Sequence, residues 1–162
     1  MYTYAVLTVS DKGSKNERVD ESGKTIIEIM DFSGYELKEY DIVADEVEEI
    51  KAKLIEYADK GINLILTTGG TGFSKRDVTP EATLEVGEKN VPGISEAIRA
   101  YSLKITPKAM LSRAVSVIRK DSLIINLPGS PKACRESLEF ILDPLSHGLD
   151  ILNGNSSECA RK

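Results

Sequence analysis

Short apolar runs alternate along the chain with amphipathic stretches, and glycine, proline or small polar residues mark the junctions. Tyr2 to Val9 alternates loosely and predicts a first core strand running into Ser10-Asp11. Lys12 to Glu21 is charged, with Gly13 inside it, and predicts an exposed loop. From Ser22, as N-cap, Ile26, Ile27, Ile29 and Met30 fall at helical spacing until Gly34. Tyr35 to Val43 predicts a second strand near a sheet edge. Asp45 opens a helix to about Lys60, with Val47, Ile50, Leu54, Ile55 and Ala58 on one face and Gly61 as stop; Asp45 and Glu48 form a capping-box variant.

Ile62 to Leu66 is short and β-branched enough for a buried strand. Gly69-Gly70-Thr71-Gly72 and the charged trio Lys75-Arg76-Asp77 follow, then a helix from Pro80 to about Lys89 with Thr79 as N-cap. Val91-Pro92-Gly93 breaks that helix, and Ile94, Ala97, Ile98 and Tyr101 mark another. Pro107 to Ser112 predicts a short turn or helix, and Arg113 to Arg119 with Ser122 to Leu127 a hairpin. Leu127-Pro128-Gly129-Ser130-Pro131 is a second strand-to-helix corner, leading to a helix with Ala133, Leu138, Ile141 and Leu142. Asp143-Pro144 restarts a terminal helix to about Leu152, before a polar tail over 153–162. The alternation predicts a three-layer α/β/α sandwich with a mostly parallel mixed sheet, one domain over 1–152.

Composition narrows the chemistry. With 162 residues, 41% hydrophobic and 29% charged, the chain is ordinary for a globular protein and long enough for a sizeable core. No run reaches membrane-span length and no signal-peptide pattern opens the chain, so cytoplasm is the expected compartment. A net charge of −5 argues against nucleic-acid binding. Cys134 and Cys159 lack CxxC spacing, and His147 is the only histidine, which excludes sites needing two. There is no GxSxG elbow to make a nucleophile of a serine beside it.

The glycines after Thr68 admit either of two readings: a tight connection, or a cradle whose consecutive N–H groups meet an anion beyond the carboxyl end of a strand. Asp45 and Asp77, each just past a strand, could hold Mg²⁺, which takes one or two carboxylates and keeps several waters. Equally, Asp45 could cap its helix, and Asp77 could pair with Arg76 or bond the amide of Val78 or Thr79. Ser22-Gly23-Lys24-Thr25 resembles the end of a P-loop, the mark of a nucleotide kinase, but Arg18 stands where that motif needs its first glycine.

The string Thr67 to Gly72 followed by Arg76-Asp77-Val78-Thr79-Pro80-Glu81-Ala82-Thr83 resembles the signature of the molybdopterin adenylyltransferase family, the Mog/MoaB proteins and the gephyrin G domain. The likeness extends over nearly the whole chain, through Thr8-Val9-Ser10-Asp11, Asp20-Glu21-Ser22-Gly23, Asp45-Glu46-Val47, Ser102 to Pro107, Ala109 to Arg113 and Leu123 to Pro131. It implies an α/β/α sandwich forming a homotrimer, and AMP transfer from MgATP to the terminal phosphate of molybdopterin. The product would pass to a partner protein that inserts molybdate. Residue by residue it implies metal binding and catalysis for Asp45 and Asp77, and hydroxyls near the pterin phosphate for Ser112, counted as catalytic, and Ser102. Thr71 with Gly69, Gly70 and Gly72 would form the nucleotide-side loop, and Ser10, Asp11, Arg113, Pro128, Gly129 and Ser130 would complete the substrate contacts. Glu21 departs from relatives that carry Arg or Lys there. A non-catalytic molybdopterin carrier is the alternative reading.

Overall fold

Successive side chains of a strand point to opposite faces, and the strands here carry apolar residues on both. On β1 (Thr3–Val9), Tyr4 and Val6 enter one core while Ala5, Leu7 and Val9 enter the other. On β3 (Leu64–Thr68), Leu64 and Leu66 face the first core and Ile65 the second; β6 (Ser122–Leu127) repeats the split with Leu123, Ile125 and Leu127 against Ile124. Such strands require cover on both sides. A computed structural model describes residues 1–155 and supplies that cover as helices. The first core is closed by α2 (Glu21–Phe32), α5 (Pro92–Leu103) and α6 (Pro131–Leu152), and the second by α3 (Val47–Asp59) and α4 (Thr79–Val86).

With β2 (Glu36–Val43), β4 (Lys89–Asn90) and β5 (Ser116–Arg119), the six strands take the order β2-β1-β3-β6-β5-β4. The first four in that order run parallel, while β5 is antiparallel to β6 and β4 to β5. The predicted mixed sheet, edge strand β2 and β5–β6 hairpin are all present. From β1 the chain goes to one neighbour, β2, and then returns to the other side as β3. The order of winding therefore reverses between β1 and β3, where open α/β sheets leave a crevice.

Several element ends differ from expectation. Lys12 to Glu21 is not all loop: a short α1 (Asp11–Ser14) buries Gly13. Ser22 is not the N-cap of α2; Asp20 is, its carboxylate accepting from the Gly23 N–H, and Ser22 is buried. Asp45 does not cap α3, whose N-cap is Glu46 without a side-chain bond. Thr79 is the first residue of α4 rather than its cap, and the helix ends at Val86, so Lys89 falls in strand β4. Val91-Pro92-Gly93 opens α5, since Pro92 suits a first helical turn. Pro144 does not restart a helix. It lies exposed inside a continuous α6, with Leu138, Ile141, Leu145 and Leu149 buried along the same helix to hold its course despite the missing N–H. The tail expected over 153–162 lies, from residue 156 on and with Cys159, outside the described residues.

Candidate active site

Val9, Val43, Thr68 and Leu127 end four parallel strands on one side of the sheet, so the corners after them share one rim. Gly69 and Gly70 turn the chain after β3 with φ of 92° and 67°. A Cβ on Gly69 would lie 2.3 Å from the Val9 carbonyl oxygen, and one on Gly70 2.4 Å from Thr79 Oγ1. Only glycine fits either place. Thr79 Oγ1 donates to the Gly69 carbonyl at 2.9 Å and its N–H to the Gly70 carbonyl at 3.1 Å, fixing the loop on the start of α4. Among the described residues, the N–H groups of Gly70, Thr71 and Gly72 meet no acceptor within the chain. Gly129 packs against Gly69, so the corners after β3 and β6 touch.

A cleft of about 530 Å³ opens here, lined by Ser10, Gly69, Gly70, Asp45, Asp77 and Gly129, with Arg18, Asp20 and Glu21 from the approach to α2. Asp45 and Asp77 do converge on it. Asp45 Oδ2 accepts the Asp11 N–H at 2.9 Å, and Asp11 Oδ1 returns the contact by accepting the Asp45 N–H at 3.0 Å. Burial raises the carboxyl pKa of Asp45, and the charges of Asp11 and Asp77 push the same way. Asp77 bonds neither Arg76 nor the amides after it; its Oδ2 accepts the Ser74 N–H at 3.1 Å. Arg76 instead forks onto Asp11, holding that carboxyl down to about 2.

A smaller cleft, about 210 Å³, lies beyond the β6–α6 corner. Ser102 of α5, Ser112 after the 3-10 helix Pro107–Leu111, and Pro128 line it, together with Arg99, Lys108 and Glu136. Arg99 is anchored on the Ala114 carbonyl at 2.7 Å. The expected residues thus divide between two adjoining clefts. Asp11, Thr71, Gly72, Arg113 and Ser130 line neither. Arg113 spends its guanidinium on the Gly72 and Asp77 carbonyls, each at 2.8 Å, and on Glu81; its N–H donates to the Thr71 carbonyl. It braces the glycine loop from behind. Ser130 caps α6 through the Ala133 N–H.

Sequence reasoning missed Asp20 and Arg18 in the larger cleft and Arg99 and Lys108 in the smaller one. Asp20 Oδ2 accepts from the hydroxyls of Thr8 at 2.5 Å and Tyr40 at 2.6 Å, partners from two strands that no local pattern announces. Beneath the floor, Cys134 donates to the Pro128 carbonyl at 2.7 Å, and burial pushes its thiol up to about 11. That environment makes it inert.

Residues 5–147 match the family described as "Probable molybdopterin binding domain". A "Molybdopterin adenylyltransferase" of Helicobacter pylori is 45% identical over 97% of this chain and 91% of its own length. A "Gephyrin" of Dictyostelium discoideum is 41% identical, covering 91% of this chain but only 22% of that protein. Among solved structures, the molybdopterin biosynthesis enzyme MoaB of Thermus thermophilus superposes with a TM-score of 0.90 at 47% identity, over 95% of this chain and 98% of that one. The match runs from the first strand into the last helix and includes every corner that lines the two clefts, so the chain belongs to the family of molybdopterin-binding domains.

Proposed function

We propose that this chain is a molybdopterin adenylyltransferase of molybdenum cofactor biosynthesis, transferring AMP from ATP to the terminal phosphate of molybdopterin with release of pyrophosphate. The observation that carries the reading is that two unlike clefts both take residues from the β6–α6 corner, Gly129 and Pro131 in one and Pro128 and Ala133 in the other, as a reaction between two substrates requires. Relatives 45% identical over 97% of this chain and 91% of their own length bear that name.

The nucleotide belongs in the larger cleft, where Gly70 lines the wall and offers an unengaged N–H to a phosphate oxygen, with the unengaged N–H groups of Thr71 and Gly72 next in the same loop. Ser102 and Ser112 would hold the molybdopterin phosphate in the smaller cleft, with Arg99 and Lys108 balancing its charge. A phosphate oxygen of molybdopterin attacks the α-phosphorus of ATP, and the bond to pyrophosphate breaks. No covalent enzyme nucleophile is required, so the chain's work is positioning and charge stabilisation. The acidic lining, Asp20, Glu21, Asp45 and Asp77 against Arg18, admits a triphosphate only with accompanying cations. Asp45 and Asp77 offer oxygen donors alone, without thiol or imidazole beside them, and burial, with the charges of Asp11 and Asp77, holds Asp45 above its ordinary pKa. That donor set fits Mg²⁺, which leaves water in its remaining positions. Bound there, Mg²⁺ would neutralise charge developing on the phosphates.

We further read the functional unit as residues 1–152, working in the cytoplasm, where ATP is supplied. The family signature supports a homotrimer, and the exposed Leu103, Ile105, Met110 and Leu111 give it an apolar surface to use. The adenylylated product would go to a molybdate-inserting partner. Pyrophosphate release from molybdopterin, ATP and Mg²⁺ tests the activity. In Asp77→Asn it should fall about 100-fold while molybdopterin still binds. Molybdopterin binding without any pyrophosphate from the wild type would favour the carrier reading. Phosphoryl transfer with ADP release, abolished in Lys24→Ala, would favour a P-loop kinase, whereas adenylyl transfer should survive that change; Lys24 is exposed on α2 and outside both clefts.

A further inference from the structure

Arg76, next to the cleft residue Asp77, makes contacts between loops that the proposed reaction does not use. Its Nε and a terminal nitrogen reach Asp11 Oδ2 and Oδ1, both at 3.0 Å, and that terminal nitrogen also reaches Glu46 Oε1 at 2.7 Å. Three corners meet in this one side chain. Asp77 is the next residue after Arg76, Asp45 precedes Glu46, and Asp11 exchanges hydrogen bonds with Asp45. A planar guanidinium presents its donors in a fixed fork, so its contacts fix distance and angle as well as charge.

The network also withholds a carboxylate. Both oxygens of Asp11 are engaged, by Arg76 and by the Asp45 N–H, and Asp11 does not line the cleft. Of the carboxylates that this network touches or adjoins, Asp45 and Asp77 line the cavity, each with one oxygen taken by a backbone N–H and the other left over. Side chains of Arg76, Asp11 and Glu46 are 52%, 36% and 53% exposed, and ion pairs so open to water add little to folding stability. Ligand geometry gives the network a use that stability does not.

We propose that Arg76 is a positioning residue that sets the separation of Asp45 and Asp77 for a divalent cation by tying Asp11 and Glu46 together. The inference rests on the reading of Asp45 and Asp77 as cation ligands. Partners standing behind a ligand typically change metal affinity by 10–100-fold when removed.

The test titrates the full-length protein with Mn²⁺, following the free ion by its electron paramagnetic resonance, and separately measures thermal midpoints and the Mg²⁺ dependence of pyrophosphate release. Arg76→Ala should weaken Mn²⁺ binding about tenfold and raise the apparent KM for Mg²⁺ by a similar factor. The rate at saturating Mg²⁺ and the thermal midpoint should stay near wild type. Arg76→Lys, which keeps the charge without the fork, should recover only part of the loss. Unchanged Mn²⁺ binding in Arg76→Ala overturns the proposal, and so does full recovery with Lys, which would reduce the role to charge. Asp45→Asn separates the two levels of inference. If it abolishes Mn²⁺ binding while Arg76→Ala leaves it intact, only the positioning role falls; if Asp45→Asn leaves binding intact, the cation site falls as well.

Discussion

The two clefts that share the β6–α6 corner are made from different materials. The larger is a set of strand ends: backbone corners and carboxylates whose places follow from the sheet's register. The smaller is a set of side chains projected from α5, the 3-10 helix and α6, with serine hydroxyls and two cations on largely aliphatic walls. Strand ends are held by ladders to their neighbours, so they suit charge that must stand at fixed distances. Helix faces suit recognition by shape and by one or two polar contacts. The family match spans both, and the contrast predicts that damage to the first should be steep and damage to the second graded.

The steepest effect belongs to the β3 corner. Gly69→Ala must place a methyl group 2.3 Å from a backbone oxygen at φ +92°, and neither backbone can yield without disturbing β1 or β3. We expect a loss of about 3 kcal/mol in urea unfolding, with activity lost in parallel. A variant of wild-type stability would show the corner to be looser than its register implies.

On the other side of the contrast, Ser102→Ala and Ser112→Ala should each raise the KM for molybdopterin about tenfold, the scale of one hydrogen bond to a charged group, and leave nucleotide binding unchanged. Both residues are only half-buried, and the one hydrogen bond within the chain at stake, from the Ala114 N–H to Ser112 Oγ, is long at 3.3 Å, so the fold should lose little. Equal losses for both substrates would erase the division of labour between the clefts.

The smallest effect concerns pH. Asp45 is raised first by desolvation and then by its acidic neighbours. Folding therefore favours its protonated form: that contribution is fully present below the unfolded value of 3.8 and is lost as pH rises through the folded one. At neutral pH the ionised carboxylate opposes folding. Asp45→Asn should consequently melt slightly above wild type at pH 7 and lose that advantage below about pH 3.8. A lower melting point at pH 7 would mean that the hydrogen bond from Asp11 outweighs the charge.

Much of this was legible along the chain. β1, β3 and β6 stand where the apolar runs predict them, because a strand buried on both faces leaves a continuous hydrophobic stretch. The glycine corners and the two aspartates were legible as well, since strand-to-loop transitions carry residues chosen for backbone reasons. Helix ends were less so. Asp20 and Ser22 both suit a cap, and the choice fell to Asp20 because Ser22 was drawn off to donate to the Gly129 carbonyl at 2.7 Å, 107 positions away. Asp45 reads locally as a cap and is taken instead by Asp11.

What the sequence determined by itself is the layered architecture and the order of its corners, because periodicity and glycine placement are local properties. Tertiary structure alone decided which corners touch, that Asp45 and Asp77 open on one cavity, that Arg113 turns away from it, and that Arg76 bridges acids from two other loops. Those outcomes depend on the sheet order β2-β1-β3-β6, which brings together strand ends far apart in the chain. No window of neighbouring residues contains that order.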